Sequence, residues 1–558
     1  MLHILTGRAG SGKTTQVLRR MREAGERRPQ LLLVPEQASF ETERRFCREN
    51  GNQAGRYGEV LSFTRLENRV LSLGGGAAEP VLDAGGRLLV LYAALRSVQA
   101  NLTVYAMPSQ KPAFLTSLLT TLDELKSYCI TGEQLTQVGE ETEGMDGEKL
   151  RDLGLIFGAY EAMTARGALD PRDRLTRLAE KLRRFPFFQG QDVYLDGFTD
   201  FTPQQGLVLA ELLRQAHSVT LALTYGEGAG EEAVFAPARK TLAWIKGLAA
   251  KVGCPVEEEA LPAGEWERTP PLRHLEQALF AHPMPPYTGP WDGSIVVHEL
   301  PSPREEVAWA AGEIRALVWQ GRVRYRDIVV TARSMDPYWE QLEGVFAQYD
   351  IPLFQADKTD LLQKPLFTLI TAALDAVNGG YLYEDMFRYL KTGLAGLSLP
   401  ECDQLENYVL TWDIWGSRWT GAGGWTRHPG GYHQRFTPQD EETLETLNAL
   451  RLRVIQPLER LRKNAGGTIG EQVLALYQFL EEIHAPEHLE ARIAALLHQG
   501  EPELARQYSQ LWEIFCRALE QREALFGEVE AESADFSRLQ RLLLSQYSVG
   551  PFPPPWTG

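Results

Sequence analysis

Eight residues near the start of the chain, Gly7-Arg8-Ala9-Gly10-Ser11-Gly12-Lys13-Thr14, match the pattern G-x-x-x-x-G-K-[ST] in full. Before them Leu2-His-Ile-Leu-Thr6 reads as a strand, and after Gly12 the spacing of Val17, Leu18 and Met21 predicts one apolar helical face. The glycines allow backbone N–H groups to face inward around phosphates, and the helix N-terminus adds a favourable dipole. Lys13 would reach the β- and γ-phosphates and Thr14 would offer its hydroxyl to Mg²⁺, with Thr15 next in line. The bland alternative, a Gly-rich turn with a surface lysine, lacks the support of both motif and context. ATP with Mg²⁺ is the expected ligand.

The 558 residues exceed one small domain and, at roughly 150 residues apiece, suit three or four. Hydrophobic residues are 44%, charged residues 23% and mean hydropathy is −0.27, as in a globular protein able to bury a large core. Apolar runs such as Leu31–Val34 fall far below the ~18 residues of a membrane helix, so no membrane span is expected. Met1-Leu-His-Ile-Leu5 lacks the basic and apolar regions of a secretory signal, and a cytoplasmic location is the expectation. Cys47, Cys129, Cys254, Cys402 and Cys516 lie far apart without a C-x-x-C pair. They are expected to be buried, reduced thiols, with neither a disulfide framework nor a metal-ligand set. The net charge of −17 argues against non-specific nucleic-acid binding, yet residues 1–70 carry +5 and the remainder −22. A local basic surface on the first domain is therefore expected.

Along the chain, a second strand at Gln30–Val34 is stopped by Pro35, so the opening alternates β and α as a parallel sheet requires. Residues 85–185 are almost all helical in period, with Asp170 and Pro171 at the N-cap and first position of one helix, and read as a helical insertion. Strands at Asp192–Asp196 and Ser218–Thr224 would complete the first sheet. Residues 255–292, rich in Pro and Glu, read as a linker or irregular crossover. Ser294–Leu300, a helix over Arg304–Trp319 and Asp327–Thr331 predict a fresh β-α-β unit. Leucine-rich helices follow, among them Glu471–Glu482 and Leu504–Leu525. The expected class is α/β: a P-loop, RecA-like parallel-sheet lobe (1–84 and 186–290) with a helical insertion (85–185). An incomplete second RecA-like lobe (291–382), a helical domain (383–548) and a Pro-rich tail (549–558) complete it. A sheet begun and not finished predicts a truncated polypeptide.

Val193-Tyr-Leu-Asp196 is an apolar strand ending in an acid, which suits a Walker B carboxylate facing Mg²⁺ at the carboxyl edge of a sheet. Lys13 and Asp196 are the expected catalytic pair, and Thr14 and Asp196 the metal residues. Gly197 stands where a glutamate would orient the attacking water, so slow or absent hydrolysis is expected. His484-Ala-Pro-Glu-His488 matches H-x-x-E-H literally, but Pro486 would break the turn that brings both histidines to one face, and a loop is the reading. His428 and His433 flank Pro-Gly-Gly-Tyr, a turn. Trp412, Trp415, Trp419 and Trp425, interleaved with Arg418 and Arg427, fit either a packed corner or a platform for unpaired bases, the former being the commoner use.

Several segments together resemble the AddB-type subunit of bacterial ATP-dependent helicase/deoxyribonuclease complexes, relatives of the UvrD-like superfamily 1 helicases. They are the loop Gly7–Thr14, Leu33-Val-Pro-Glu-Gln37 with Phe40 and Glu43, Leu61-Ser-Phe-Thr-Arg-Leu66, and Tyr194-Leu-Asp-Gly-Phe198 with Phe201-Thr-Pro203. Arg304-Glu-Glu-Val307, Tyr325–Val330 with Arg333, Ile351-Pro352, Lys391-Thr-Gly-Leu394 and Leu405-Glu-Asn-Tyr408 with Trp412–Trp419 follow. The resemblance covers nearly the whole chain. It implies a subunit that pairs with a motor-nuclease partner of AddA type, acts on single- and double-stranded DNA at broken ends for recombinational repair, and helps recognise a Chi-like sequence. It further implies that the helicase-like half is degenerate, in keeping with Gly197 and with Tyr225-Gly-Glu-Gly228 where a motor motif would stand. The family's nuclease domain and 4Fe-4S cluster belong to a C-terminal half that this chain does not match, and no cluster is expected. By the same resemblance Gln37 and Arg65 would line the nucleotide or DNA side of the first lobe. Arg333 would either reach a γ-phosphate or stand as an exposed arginine after a strand.

Two functions stay open at this point: an ATP-binding enzyme subunit of a helicase-nuclease, or a DNA-scanning scaffold that uses ATP only as a regulatory or structural ligand. A generic P-loop kinase or transporter ATPase is a weaker third.

Overall fold

A computed structural model describes residues 1–51, 53–76, 81–107, 112–165, 169–226, 233–262, 269–353 and 359–549. The chain folds into two compact units, one of residues 1–80, 123–130 and 170–353, the other of residues 81–122, 131–169 and 354–558.

The first unit is built on six strands: β1 (Leu2–Gly7), β2 (Gln30–Leu33), β3 (Gly58–Leu61), β4 (Asp192–Leu195), β5 (Ser218–Thr224) and β6 (Val256–Ala260). They lie in the order β3-β2-β4-β5-β1-β6, every neighbouring pair parallel, with Leu2 opposite Val219 and Gln30 opposite Asp192. Successive strand residues point to opposite faces, and this alternation sorts the core into two layers. Leu2, Ile4, Leu31, Leu33, Val193 and Leu195 pack on one side with Leu66, Leu178, Leu209 and Ile245. Leu5, Leu32 and Tyr194 pack on the other with Val17, Leu18, Met21 and Phe46. A sheet buried on both faces explains why β2 is an unbroken apolar run rather than an alternating one.

The stretch 255–292 is more ordered than its Pro- and Glu-rich composition predicts. Val256-Glu-Glu-Glu-Ala260 is the edge strand β6, and Pro270–Ala278 is a helix; residues 263–268 lie outside the described residues. Three consecutive acids are tolerated because only one side of an edge strand is paired and basic groups flank it. His3, Lys246 and Arg20 meet Glu257, Glu258 and Glu259 at 3.2, 2.6 and 2.5 Å.

The second β-α-β unit takes a different form. A helix spans Pro303–Trp319 and another Trp339–Gln348, joined by a small core of Val307, Ile314, Val345 and Phe346. Residues 294–300 and 327–331, however, join no strand ladder among the described residues. A parallel strand exists only by pairing, and no neighbour is offered, so Val297 and Val329 stand 88% and 81% exposed.

The second unit is helical apart from a two-residue antiparallel pair, Thr359–Asp360 with Ser548–Val549, and isolated bridges. Its helix Ala84–Val98 packs against Leu511–Phe526 and Ser533–Leu544, and the Tyr547 hydroxyl donates to Asp83 at 2.5 Å. Three of the clustered tryptophans are core: Trp412, Trp419 and Trp425 are buried, Tyr408 stacks on Trp425 and Arg427 lies 4.8 Å over Trp412. Trp415 is 53% exposed. The segment around Pro486 is a helix, Ala485–His498, and not the expected loop, since a proline in the first turn removes no intrahelical hydrogen bond. His484 precedes that helix and His488 lies inside it. Cys254 and Cys402 are buried, but Cys47 and Cys129 are exposed, against expectation, because both sit at the solvent side of helix ends. Residues 550–558 of the Pro-rich tail lie outside the described residues, as do Glu227 and Gly228. No helix among the described residues is long and apolar enough to cross a membrane.

Candidate nucleotide site

β1 ends at Gly7 and helix α1 (Lys13–Ala24) begins six residues later, so the loop between them caps the carboxyl edge of the sheet. Gly10 and Gly12 have φ of 81° and 88°, in the left-handed region where only glycine is free of strain. A Cβ on Gly7 would meet the Ser11 hydroxyl at 2.2 Å, so the loop closes on itself only with glycine there. Gly12 caps α1 without a side-chain acceptor, leaving first-turn N–H groups available to an anion.

The Lys13 ammonium folds over the loop and donates to the carbonyls of Gly7 and Arg8, both at 2.8 Å. Burial holds its pKa below the ordinary lysine value, opposed by the charges of Asp196 and Glu276. Among the described residues Ser11 Oγ is buried without a hydrogen-bond partner. A cradle with this hydroxyl, uncapped amides and an ammonium hydrogen-bonded to two carbonyls fits a polyphosphate, the oxygens of which could take up each of these donors. Thr14 is half-buried at the head of α1. Thr15 is exposed, with its hydroxyl accepting from Arg45 at 3.0 Å, and Ala9 is exposed on the loop.

Asp196 follows β4 directly, buried, its N–H donating to Leu33 at 3.1 Å and its Oδ1 accepting from the Gly197 N–H at 3.0 Å. It lies at the same sheet edge as the loop, with β5 between β4 and β1. Gly197 adopts φ of 81°, and a Cβ there would press on Pro35 at 3.3 Å. The glycine therefore has a backbone reason, which also bars a glutamate from that place at low strain.

Gln37 is exposed on the turn Glu36–Ala38 that follows β2, at the same edge of the sheet, and Arg65 pairs with Glu43 at 3.0 Å. Among the described residues Arg333 is exposed beyond a stretch that forms no strand, and makes no hydrogen bond or ion pair. Glu276, on the Pro270–Ala278 helix, was missed in the sequence: it binds the Arg8 side chain from 268 residues away, inside a stretch whose composition reads as linker.

A P-loop at the carboxyl edge of a parallel sheet, with an acid at the end of the strand one removed, places the first unit among RecA-like α/β lobes. Residues 4–276 match the family model described as ADDB, N-terminal. Over 99% of its length the chain is 31% identical to the B subunit of the ATP-dependent helicase/deoxyribonuclease of Acetivibrio thermocellus, covering 49% of that protein. It is 32% identical to the proteins of the same name from Thermoanaerobacter sp. and Clostridioides difficile, again over 99% of this chain and 49% of theirs. The chain is thus similar to AddB-type proteins, through the family model in its first half and through these relatives along its length, and it spans about half the length of the curated relatives it matches.

Proposed function

We propose that the chain binds ATP with Mg²⁺ at the Gly7–Thr14 loop and serves a heterodimeric helicase-nuclease that processes double-strand DNA breaks for recombinational repair. Its relatives are named as the B subunit of a helicase/deoxyribonuclease, which supports a complex with a second, motor-nuclease subunit of AddA type. DNA, single- and double-stranded, is the substrate of that complex in this reading, Chi-like recognition is part of it, and the compartment is the cytoplasm. The five cysteines of this chain are dispersed along the sequence, and the reading assigns them no cluster.

The observation that carries the nucleotide reading is the cradle itself: uncapped amides, an unpartnered Ser11 hydroxyl and the Lys13 ammonium around one loop. In it Lys13 offsets phosphate charge, and Thr14 with Asp196 would hold Mg²⁺, which supplies charge neutralisation at the phosphates. Gly197 favours a second form of the reading, in which ATP is a regulatory or structural ligand and turnover is slow. It leaves no carboxylate beside Asp196 to orient water.

Binding of a fluorescent ATP analogue and ATP hydrolysis with and without single-stranded DNA test both. Lys13→Ala is expected to abolish binding, because the ammonium is the main charge partner of the phosphates. Binding that survives the change overturns the site. DNA-stimulated turnover that vanishes in Lys13→Ala would overturn the degenerate-motor reading and leave the site standing.

A further inference from the structure

Arg8 is the second residue of the loop, and its two ends do different things. Its carbonyl accepts both the Lys13 ammonium at 2.8 Å and the Ser11 N–H at 3.1 Å, so the orientation of this one peptide fixes the lysine and the turn. Its side chain leaves the loop and is clamped by the Pro270–Ala278 helix. Nε donates to the Glu276 carboxylate at 3.0 and 3.3 Å, and Nη2 donates to the Glu276 carbonyl at 2.7 Å. The guanidinium also lies 5.7 Å over the Phe235 ring, and a Cβ on Gly226 would come within 3.1 Å of Arg8 Cγ. Arg8 and Glu276 are each only about a fifth exposed, 20% and 21%, so the pair is sheltered from the screening that makes surface ion pairs weak. The tether is reinforced upstream, where Leu261 N–H donates to Thr6 at 2.8 Å and Leu261 lies 3.4 Å from a Cβ built on Gly7.

We propose that Glu276 is a positioning residue of the nucleotide site: by gripping the Arg8 side chain from outside, it holds the Arg8 peptide in the orientation that presents Lys13 and Ser11 to a triphosphate. This rests on the nucleotide reading of the loop. Glu276 touches no phosphate; it acts through Arg8, and its negative charge also faces Lys13 together with Asp196. A P-loop is thus completed by a residue far beyond the sheet's central strands, in a helix that the motif itself gives no hint of.

The test is the affinity of the full chain for a fluorescent ATP analogue, measured well below the melting temperature, for Glu276→Gln, Arg8→Lys and the double variant. Glu276→Gln keeps shape and removes charge, and Arg8→Lys keeps charge and removes the fork. Each is expected to weaken binding about tenfold, as loss of a sheltered charge-assisted hydrogen bond does, and the double variant no further than the weaker single. The charge-swapped pair, Arg8→Glu with Glu276→Arg, is expected to restore affinity to within about threefold of the wild type, a rescue that mere loss of stability would not give. Single variants that fold and bind within about twofold of wild type, or that add in the double variant, overturn the proposal. A wild-type chain that binds no nucleotide, or a Lys13→Ala variant that still does, overturns the nucleotide reading and the proposal with it. Binding lost in Lys13→Ala but kept in Glu276→Gln overturns the proposal alone.

Discussion

At the scale of single residues, glycines decide where this site can exist. Gly10 and Gly12 take left-handed φ so that the loop can turn its amides inward, and Gly197 does the same after the acidic strand end. Gly197→Ala forces a side chain into φ of 81° with Pro35 3.3 Å away. A loss of about 1–2 kcal/mol in unfolding free energy is expected, read from urea denaturation, and a change within about 0.3 kcal/mol would refute the strain. The roles proposed for Lys13 and Asp196 could be read from local spacing, the loop motif for one and an apolar strand ending in an acid for the other. That of Glu276 could not, since nothing local distinguishes one glutamate of an acid-rich stretch from another; its role is created by a tertiary contact. Arg333 carried two readings, a γ-phosphate contact or an exposed arginine, and the strand end on which the first was argued does not form among the described residues.

At the scale of elements, what the periodicity predicted and what the fold contains agree wherever burial is two-sided. β2 and β4, buried on both faces, and α1 with its apolar stripe were all readable. β6 was not, because an edge strand of three glutamates carries no apolar signal and is held by partners that come from elsewhere in the sequence. A similar lesson applies to the helix Pro112–Ser127. Its Lys126 is buried and meets Asp170 at 3.1 Å and Asp173 at 2.7 Å, and Asp170 in turn caps the short turn Pro171–Asp173. Lys126→Ala would take this cation away from a buried carboxylate. A loss of roughly 3–5 kcal/mol is expected by calorimetry or denaturant, whereas a cost under about 1 kcal/mol would show that the carboxylates find water or another partner instead.

At the scale of the molecule, the two units are built on opposite principles, one a parallel sheet with helices on both faces, the other a helical assembly with almost no sheet. The stretches around Val297 and Val329 belong to neither pattern: they expose their valines and, among the described residues, join no ladder. Backbone in that state is adhesive, because unpaired amides and carbonyls beside bare valines offer the same template to every copy that drifts past. Concentrated solutions of the chain are therefore expected to self-associate through these stretches. Light scattering at rising concentration should fall toward that of a monomer when Val297→Lys and Val329→Lys are introduced together, with nucleotide affinity unchanged. Scattering unaltered by both lysines would trace the stickiness elsewhere. The same valines that make the chain readable as the start of another sheet are expected to make it a poor neighbour to itself.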